Sequence, residues 1–358
     1  MKKVEKAGIA GLKQKRNPAK ISGEDFFKES DQLRKIFSQL IVNDEPNRVV
    51  IVPSASYGLA NVTQNIPFKD GEILLAQAQF PSNVYPWLRL KDKGFSVKVI
   101  SPADSTNRGE SWNEKIIESI CNTTRVVAIS HVHWSDGTLF QLKKIREKLD
   151  EVGGLLIIDG TQSIGALPFS IKEIRPDALI CAGYKWLLGP YSIGLAYYGS
   201  AFDNGKPLEE NWINRMASDD FTRLINYQED YREQALRYEV GEHSNFILVP
   251  MLHQAIKQLL KWSPENIQEY TRALMSDAID EMKELGYTIE EEAWRASHLF
   301  GVRLPENVEQ SALQQSLKKH RVSVSLRGDA IRISPNVYND EMDVRKLLKA
   351  MKEPIFAS

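Results

Sequence analysis

Apolar runs of four or five residues punctuate this chain, most of them far enough apart to leave room for one helix. They fall at 49–53 (VVIVP), 73–76 (ILLA), 97–100 (VKVI), 125–129 (RVVAI), 155–158 (LLII), 178–181 (ALIC) and 194–198 (GLAYY). Runs this short and this uniformly apolar suit strands covered on both faces. Between them the period changes. In 141–152, Leu142, Ile145, Leu149 and Val152 recur at helical spacing, with Lys and Glu on the other face. This alternation predicts an α/β layer: a seven-stranded, mostly parallel sheet with helices on both faces. Only a loop joins the last two runs, too short for a helical crossover, so those two strands are expected to be antiparallel.

After about residue 245 the texture shifts. Helical stretches at 246–261 and 264–285 lead into strand-like pieces near 298–304, 321–326 and 330–334, then an amphipathic helix over 340–352. The pattern divides the chain into a large unit, 1–262, and a smaller C-terminal α+β unit, 263–358, with the first ~20 residues packing against the small unit. No internal repeat or low-complexity tract interrupts it.

Composition narrows the function classes. The 358 residues carry a formal net charge of −1 and are 42% hydrophobic, which argues against a nucleic-acid or membrane partner. No segment approaches the ~20 apolar residues of a membrane span. The two cysteines, Cys121 and Cys181, lie far apart, so a disulfide framework is not expected and a cytoplasmic location is the default. Asn61-Val62-Thr63 and Asn122-Thr123-Thr124 match the glycosylation pattern, which has no meaning in a cytosolic chain.

Candidate chemistry concentrates between Leu155 and Gly194. One apolar strand ends in Asp159, and a second ends just before Lys185, which lies among Gly183, Gly189 and Pro190. A carboxylate at a strand end can keep a pyridine nitrogen protonated. A lysine on a tight apolar loop can stay partly deprotonated and form a Schiff base. Together they describe an electron sink for amino-acid chemistry. Either residue alone has a plainer reading, as a turn lysine or as a strand-end Asp turning with Gly160. Pro53-Ser54-Ala55-Ser56 stands between a strand and a helix starting near Tyr57, where backbone N–H groups and hydroxyls suit a phosphate, or where Ser56 simply caps the helix.

The Asp159–Lys185 block, together with Ser130-His131-Val132-His133-Trp134-Ser135-Asp136-Gly137 and Gly328-Asp329-Ala330-Ile331-Arg332-Ile333-Ser334-Pro335, resembles the class V aminotransferase, cysteine desulfurase and kynureninase superfamily. The resemblance runs from roughly residue 20 to 350. It implies a fold-type-I enzyme that uses pyridoxal 5'-phosphate, a homodimer with active sites at the subunit interface. It assigns Lys185 to the cofactor aldehyde, Asp159 to the ring nitrogen and Gln162 to the phenolic oxygen. Ala55 and Ser56 fall at phosphate positions, as does Tyr184, where kynureninases carry tyrosine and desulfurases usually histidine. Phe80, in Phe80-Pro81-Ser82-Asn83, falls where a ring stacks on the cofactor. Arg332 is implied for the substrate α-carboxylate, with Arg327 as a second candidate. It alternates with Ile331 and Ile333 and so leaves the strand on the other face. Gly241-Glu242-His243-Ser244-Asn245 resembles a loop that reaches the neighbouring subunit's phosphate, although Ser244 and Asn245 also suit helix capping.

Three departures shape the functional expectation. Trp134 replaces an asparagine common in desulfurases and is expected to border the substrate. No cysteine follows Cys181, which disfavours persulfide chemistry. The Met1-Lys2-Lys3-Val4 start corresponds to a helix that in the family follows a short substrate-touching strand. His131 and His133 are not expected to hold a metal, because His-x-His spacing alone is weak evidence. The expectation is transamination of an α-amino acid. A kynureninase-like β-lyase or an isopenicillin N epimerase-like racemase is the alternative. A protein that keeps the fold without turnover is the alternative of a different class.

Overall fold

The computed structural model describes residues 1–103, 107–327 and 330–356. Gly328 and Asp329 of the C-terminal motif lie outside the described residues.

The seven apolar runs form one sheet. Its strands are β1 (Val49–Val52), β2 (Gly71–Ala76), β3 (Phe95–Ile100), β4 (Thr124–Ser130), β5 (Leu155–Asp159), β6 (Ala178–Ala182) and β7 (Gly194–Tyr198). Their spatial order is β1-β7-β6-β5-β4-β2-β3. Neighbours from β3 to β6 are parallel, while β7 is antiparallel to both β6 and β1. The uniform apolarity of β4 to β7 is explained by burial on two sides. One set of alternating side chains enters a core with Phe37, Trp112 and Leu252, and the other a core with Leu59, Trp87 and Tyr198.

The covering helices are α1 (Lys2–Gln14), α2 (Lys28–Leu40), α3 (Ala55–Gln64), α4 (Tyr85–Leu88), α5 (Arg108–Ser119), α6 (Leu142–Val152), α7 (Ile171–Ile174) and α8 (Leu248–Trp262). Both α1 and α2 pack on α8, so α1 lies against the large unit and not, as expected of the first ~20 residues, against the small one. The approach of α1 needs Gly11, where a Cβ would lie 1.8 Å from the Phe246 carbonyl oxygen.

Beyond α8 come α9 (Pro264–Glu284), β8 (Phe300–Arg303), α10 (Gln310–Lys319), β9 (Ser325–Arg327), β10 (Ala330–Ile333) and α11 (Glu341–Phe356). The second sheet is antiparallel throughout, in the order β8-β10-β9. It covers a separate core that includes Met282, Phe300, Ile331 and Met351.

Strand direction places the site. With β1, β2, β4, β5 and β6 all pointing one way, the segments after Val52, Ala76, Ser130, Asp159 and Ala182 emerge along a single edge of the sheet. Carboxyl ends of strands are where open α/β sheets hold ligands. The small sheet docks at this edge too. The Gly301 N–H donates to the Asp136 carbonyl at 2.7 Å, and Gly301 is the register partner of Arg332.

Candidate active site

Asp159 and Lys185 line one cleft, with Ala55, Phe80, Trp134, Gln162 and Tyr184. Each arrives from a different loop of the same edge. Asp159 closes β5 opposite Ser130 of β4 and Ile180 of β6. One of its carboxylate oxygens accepts the Thr161 N–H at 2.9 Å. Burial pushes its proton affinity up, against the pull of Thr161 and the Lys185 cation. Lys185 shows the mirror image: burial lowers its pKa, Asp159 opposes the shift, and Arg332 and Arg327 add to it.

The loop around Lys185 is tied, not loose. Gly183 donates to Ile193 O at 2.9 Å, Gly189 to Gly183 O at 2.8 Å, and Leu188 to Lys185 O at 2.9 Å. The glycines answer to packing. A Cβ on Gly183 would meet Ile193 O at 2.4 Å, and one on Gly189 would meet Leu252 of α8 at 2.5 Å. The backbone is therefore fixed, and the mobile part is the lysine side chain. Its Nζ lies 5.2 Å from the Phe80 ring centroid and 6.0 Å from that of Tyr184.

Around this pair, several polar atoms are buried without partners. The Gln162 carbonyl oxygen accepts from the Trp186 indole at 3.0 Å, which fixes its amide so that Nε2 is left unpartnered. Ser130 Oγ is unpartnered as well. Buried donors without acceptors are costly, and they mark a place for a polar ligand. Tyr184 stacks on Tyr191 with centroids 4.0 Å apart, and burial beside that neighbour pushes its hydroxyl up to about 12. Its hydroxyl is therefore a donor at neutral pH.

At the start of α3 the structure corrects one expectation. The helix begins at Ala55, and its cap is Ser54, whose Oγ accepts the Tyr57 N–H at 3.1 Å, so Ser56 does not cap it. Ser56 stands in the first turn, where the leading amides have no intrahelical acceptor. Ala55 borders the cleft, while the Ser56 side chain is exposed.

Trp134 donates its indole N–H to Ala78 O at 2.6 Å and meets Phe80 edge-on, with centroids 5.5 Å apart. Arg332 donates to the Trp134 carbonyl oxygen, and its Nε is buried and unpartnered. Arg327 lies 5.3 Å from the Trp134 ring centroid. The loop 241–245 takes a structural part on this chain. Asn245 Oδ1 accepts from the Ile247 and Leu248 amides at the entry to α8, and buried His243 binds Ser30 Oγ at 2.8 Å.

Three lining residues were not singled out from the sequence, Gln79, Thr161 and Ala182, and Ser130 entered only as part of the 130–137 motif. Gln79 donates to Ala128 O at 2.8 Å and accepts from Ser130 N at 3.2 Å, joining the Phe80 loop to β4. Thr161 Oγ1 accepts from Ala182 N at 3.1 Å, joining β5's exit to β6's. The signal the sequence offered was a polar residue immediately beside a predicted site residue: Gln79 before Phe80 and Thr161 before Gln162.

The family profile described as Aminotransferase class-V matches residues 15–347. The uncharacterized aminotransferase YcbU of Bacillus subtilis is 26% identical over 324 residues, covering 90% of this chain and 83% of that protein. A probable cysteine desulfurase of Methanothermobacter thermautotrophicus is 28% identical over 157 residues, 44% of this chain and 38% of that one. Among solved structures, a cysteine desulfurase from Thermococcus onnurineus superposes with a TM-score of 0.82 at 20% identity, covering 100% of this chain and 92% of the other. A mutant of C-DES with glycine covalently linked to its PLP cofactor gives 0.84 at 19% identity, covering 98% and 92%.

Proposed function

Because the chain belongs to the aminotransferase class-V family, we propose that it holds pyridoxal 5'-phosphate in the Lys185 cleft and transfers the amino group of an α-amino acid to a keto-acid acceptor. The observation that carries this reading is one cleft lined by a buried carboxylate and a half-buried amine, beside unpartnered Gln162 Nε2 and Ser130 Oγ. When bound, the cofactor supplies a cationic ring that takes up negative charge from the substrate Cα.

The residues fit that group. Lys185, its proton affinity lowered by burial, has its amine more readily free as a nucleophile toward the aldehyde and as a base for the Cα proton. Asp159 pairs with the protonated ring nitrogen; the burial that now opposes its charge makes such a partner favourable. Gln162 donates Nε2 to the phenolic oxygen. The first amides of α3, at Ala55 and Ser56, and the Tyr184 hydroxyl hold the phosphate. Phe80 stacks on the ring and restricts its tilt. Arg332 receives the substrate α-carboxylate, and Trp134 walls the substrate side.

Cysteine placement argues against desulfuration through an enzyme persulfide. Cys181 is buried in β6, and burial raises its thiol pKa. Cys121 is exposed, but it precedes β4, at the far end of a seven-residue strand from Ser130 and about 20 Å away. A β-lyase or epimerase is the second reading, favoured by Phe80 and Tyr184 at kynureninase-like positions. The same proposal divides the chain into units 1–262 and 263–358 and makes it a homodimer. Ile225 at 82% and Tyr227 at 94% exposure support the dimer, since such residues gain by being covered.

The test is turnover of reconstituted enzyme with an amino acid, with and without an added keto acid. Transamination predicts amino-group transfer to the acceptor and no sustained turnover without it. Sustained release of ammonia or a racemised product without acceptor contradicts transamination and favours the second reading. Among the described residues, no helix is long and apolar enough to cross a membrane.

A further inference from the structure

Arg327 and Arg332 stand on neighbouring strands of the small sheet. In the β9–β10 register, Ala330 faces Arg327 and Arg332 faces Ser325. Directly opposed residues share a face, as do residues two apart, so both arginines project from the same side of the small sheet as diagonal neighbours. The opposite side carries Ile331 and Leu326 into the small core. Like charges so placed repel, and Arg327 lowers the pKa of Arg332 beyond what burial does.

Other arginines at this edge are neutralised: Arg108 lies 3.3 Å and Arg303 3.9 Å from the Asp136 carboxylate. Among the described residues, no carboxylate pairs with Arg327 or Arg332. Arg332 uses its two terminal nitrogens on Trp134 O and Ser325 Oγ. Arg327 uses Nη1 on the Leu326 carbonyl at 2.9 Å. The Nε of each is buried and unpartnered. Both converge on Trp134, Arg332 through its carbonyl and Arg327 over its ring, and Trp134 lines the Lys185 cleft.

Resting on the function proposed above, we propose that the substrate is an amino acid with a second acidic group at its far end, a side-chain carboxylate or sulfinate. Arg332 takes the α-carboxylate and Arg327 the distal acid. Trp134, which lines the cleft, carries the Arg327 guanidinium over its ring. A single carboxylate answers one guanidinium; two buried unpartnered Nε donors on neighbouring strands ask for two.

Calorimetric titration of the holoenzyme with L-glutamate against L-glutamine, and L-aspartate against L-asparagine, tests this. Each pair differs at the far end alone. The acid should bind about ten- to a hundred-fold more tightly than its amide. Arg327→Gln should erase that preference. Arg327→Lys should restore part of it, and Arg332→Gln should weaken acid and amide alike. Equal affinity for acid and amide, or a preference that survives Arg327→Gln, overturns the proposal and leaves the parent reading intact. Failure of the wild-type protein to take up pyridoxal phosphate overturns both.

Discussion

At the residue scale, one environment imposes opposite shifts on two groups. Burial raises Asp159 and lowers Lys185, so each awaits a partner that the other only partly supplies. Asp159→Asn keeps the shape and removes the charge. It should lower kcat by about 10²–10³-fold, as loss of a preorganised electrostatic partner does, while the cofactor still binds. Steady-state kinetics on the reconstituted variant checks this, and unchanged kcat would place the ring nitrogen elsewhere. Asp159 and Lys185 were legible in the sequence because each is a polar residue following an apolar run. Gln79 and Thr161 were not, because much of their work is done through backbone atoms of strands remote in sequence: Ala128 O for Gln79 and Ala182 N for Thr161. Ser54 took the cap predicted for Ser56 because helix α3 starts two residues earlier than its apolar period suggests.

At the element scale, the position of Arg332 depends on how the small sheet docks. Gly301 is the hinge of that contact. A Cβ there would lie 2.9 Å from the Asp136 carbonyl oxygen and 3.0 Å from its Cα, both backbone atoms with little freedom to yield. Gly301→Val should therefore push β8 and its partner β10 away from the 133–138 turn. The expected result is at least a tenfold rise in KM for the amino acid, with cofactor absorbance retained, because Asp159 and Lys185 belong to the other sheet. Unchanged KM would show that Arg332 does not depend on this docking. The strands of the large sheet were plain in the sequence, and β7 falls at 194–198 as the apolar run does, whereas β9 spans Ser325–Arg327 and not the expected 321–326. The docking was not, since nothing local in Phe300–Arg303 marks Gly301 as a contact across to Asp136.

At the scale of the whole molecule, three histidines make the fold sensitive to acid. Burial lowers His131 and His243 to about 3 and His298 to about 4, from an ordinary value of 6.5. Between those limits the unfolded chain binds more protons than the folded one. Stability is therefore complete above 6.5 and falls as pH drops toward 4 and 3, by up to about 1.4 kcal/mol per group per pH unit. Urea midpoints at successive pH values check the slope, and His298→Gln should flatten it; a stability independent of pH between 7 and 5 would contradict the burial of these rings. The parallel sheet and its ligand edge could be read from alternation and strand polarity. Convergence of the second sheet on that edge could not, because it depends on chain geometry between residues far apart in sequence. The proposed function turns on one amine, Lys185, as the anchor of the cofactor. Borohydride reduction of the protein reconstituted with pyridoxal phosphate, followed by peptide mass mapping, reads that directly. The reduced cofactor should be fixed on the peptide carrying Lys185 and absent from Lys185→Ala; a label on another lysine, or none on the wild-type chain, would rule Lys185 out as the anchor.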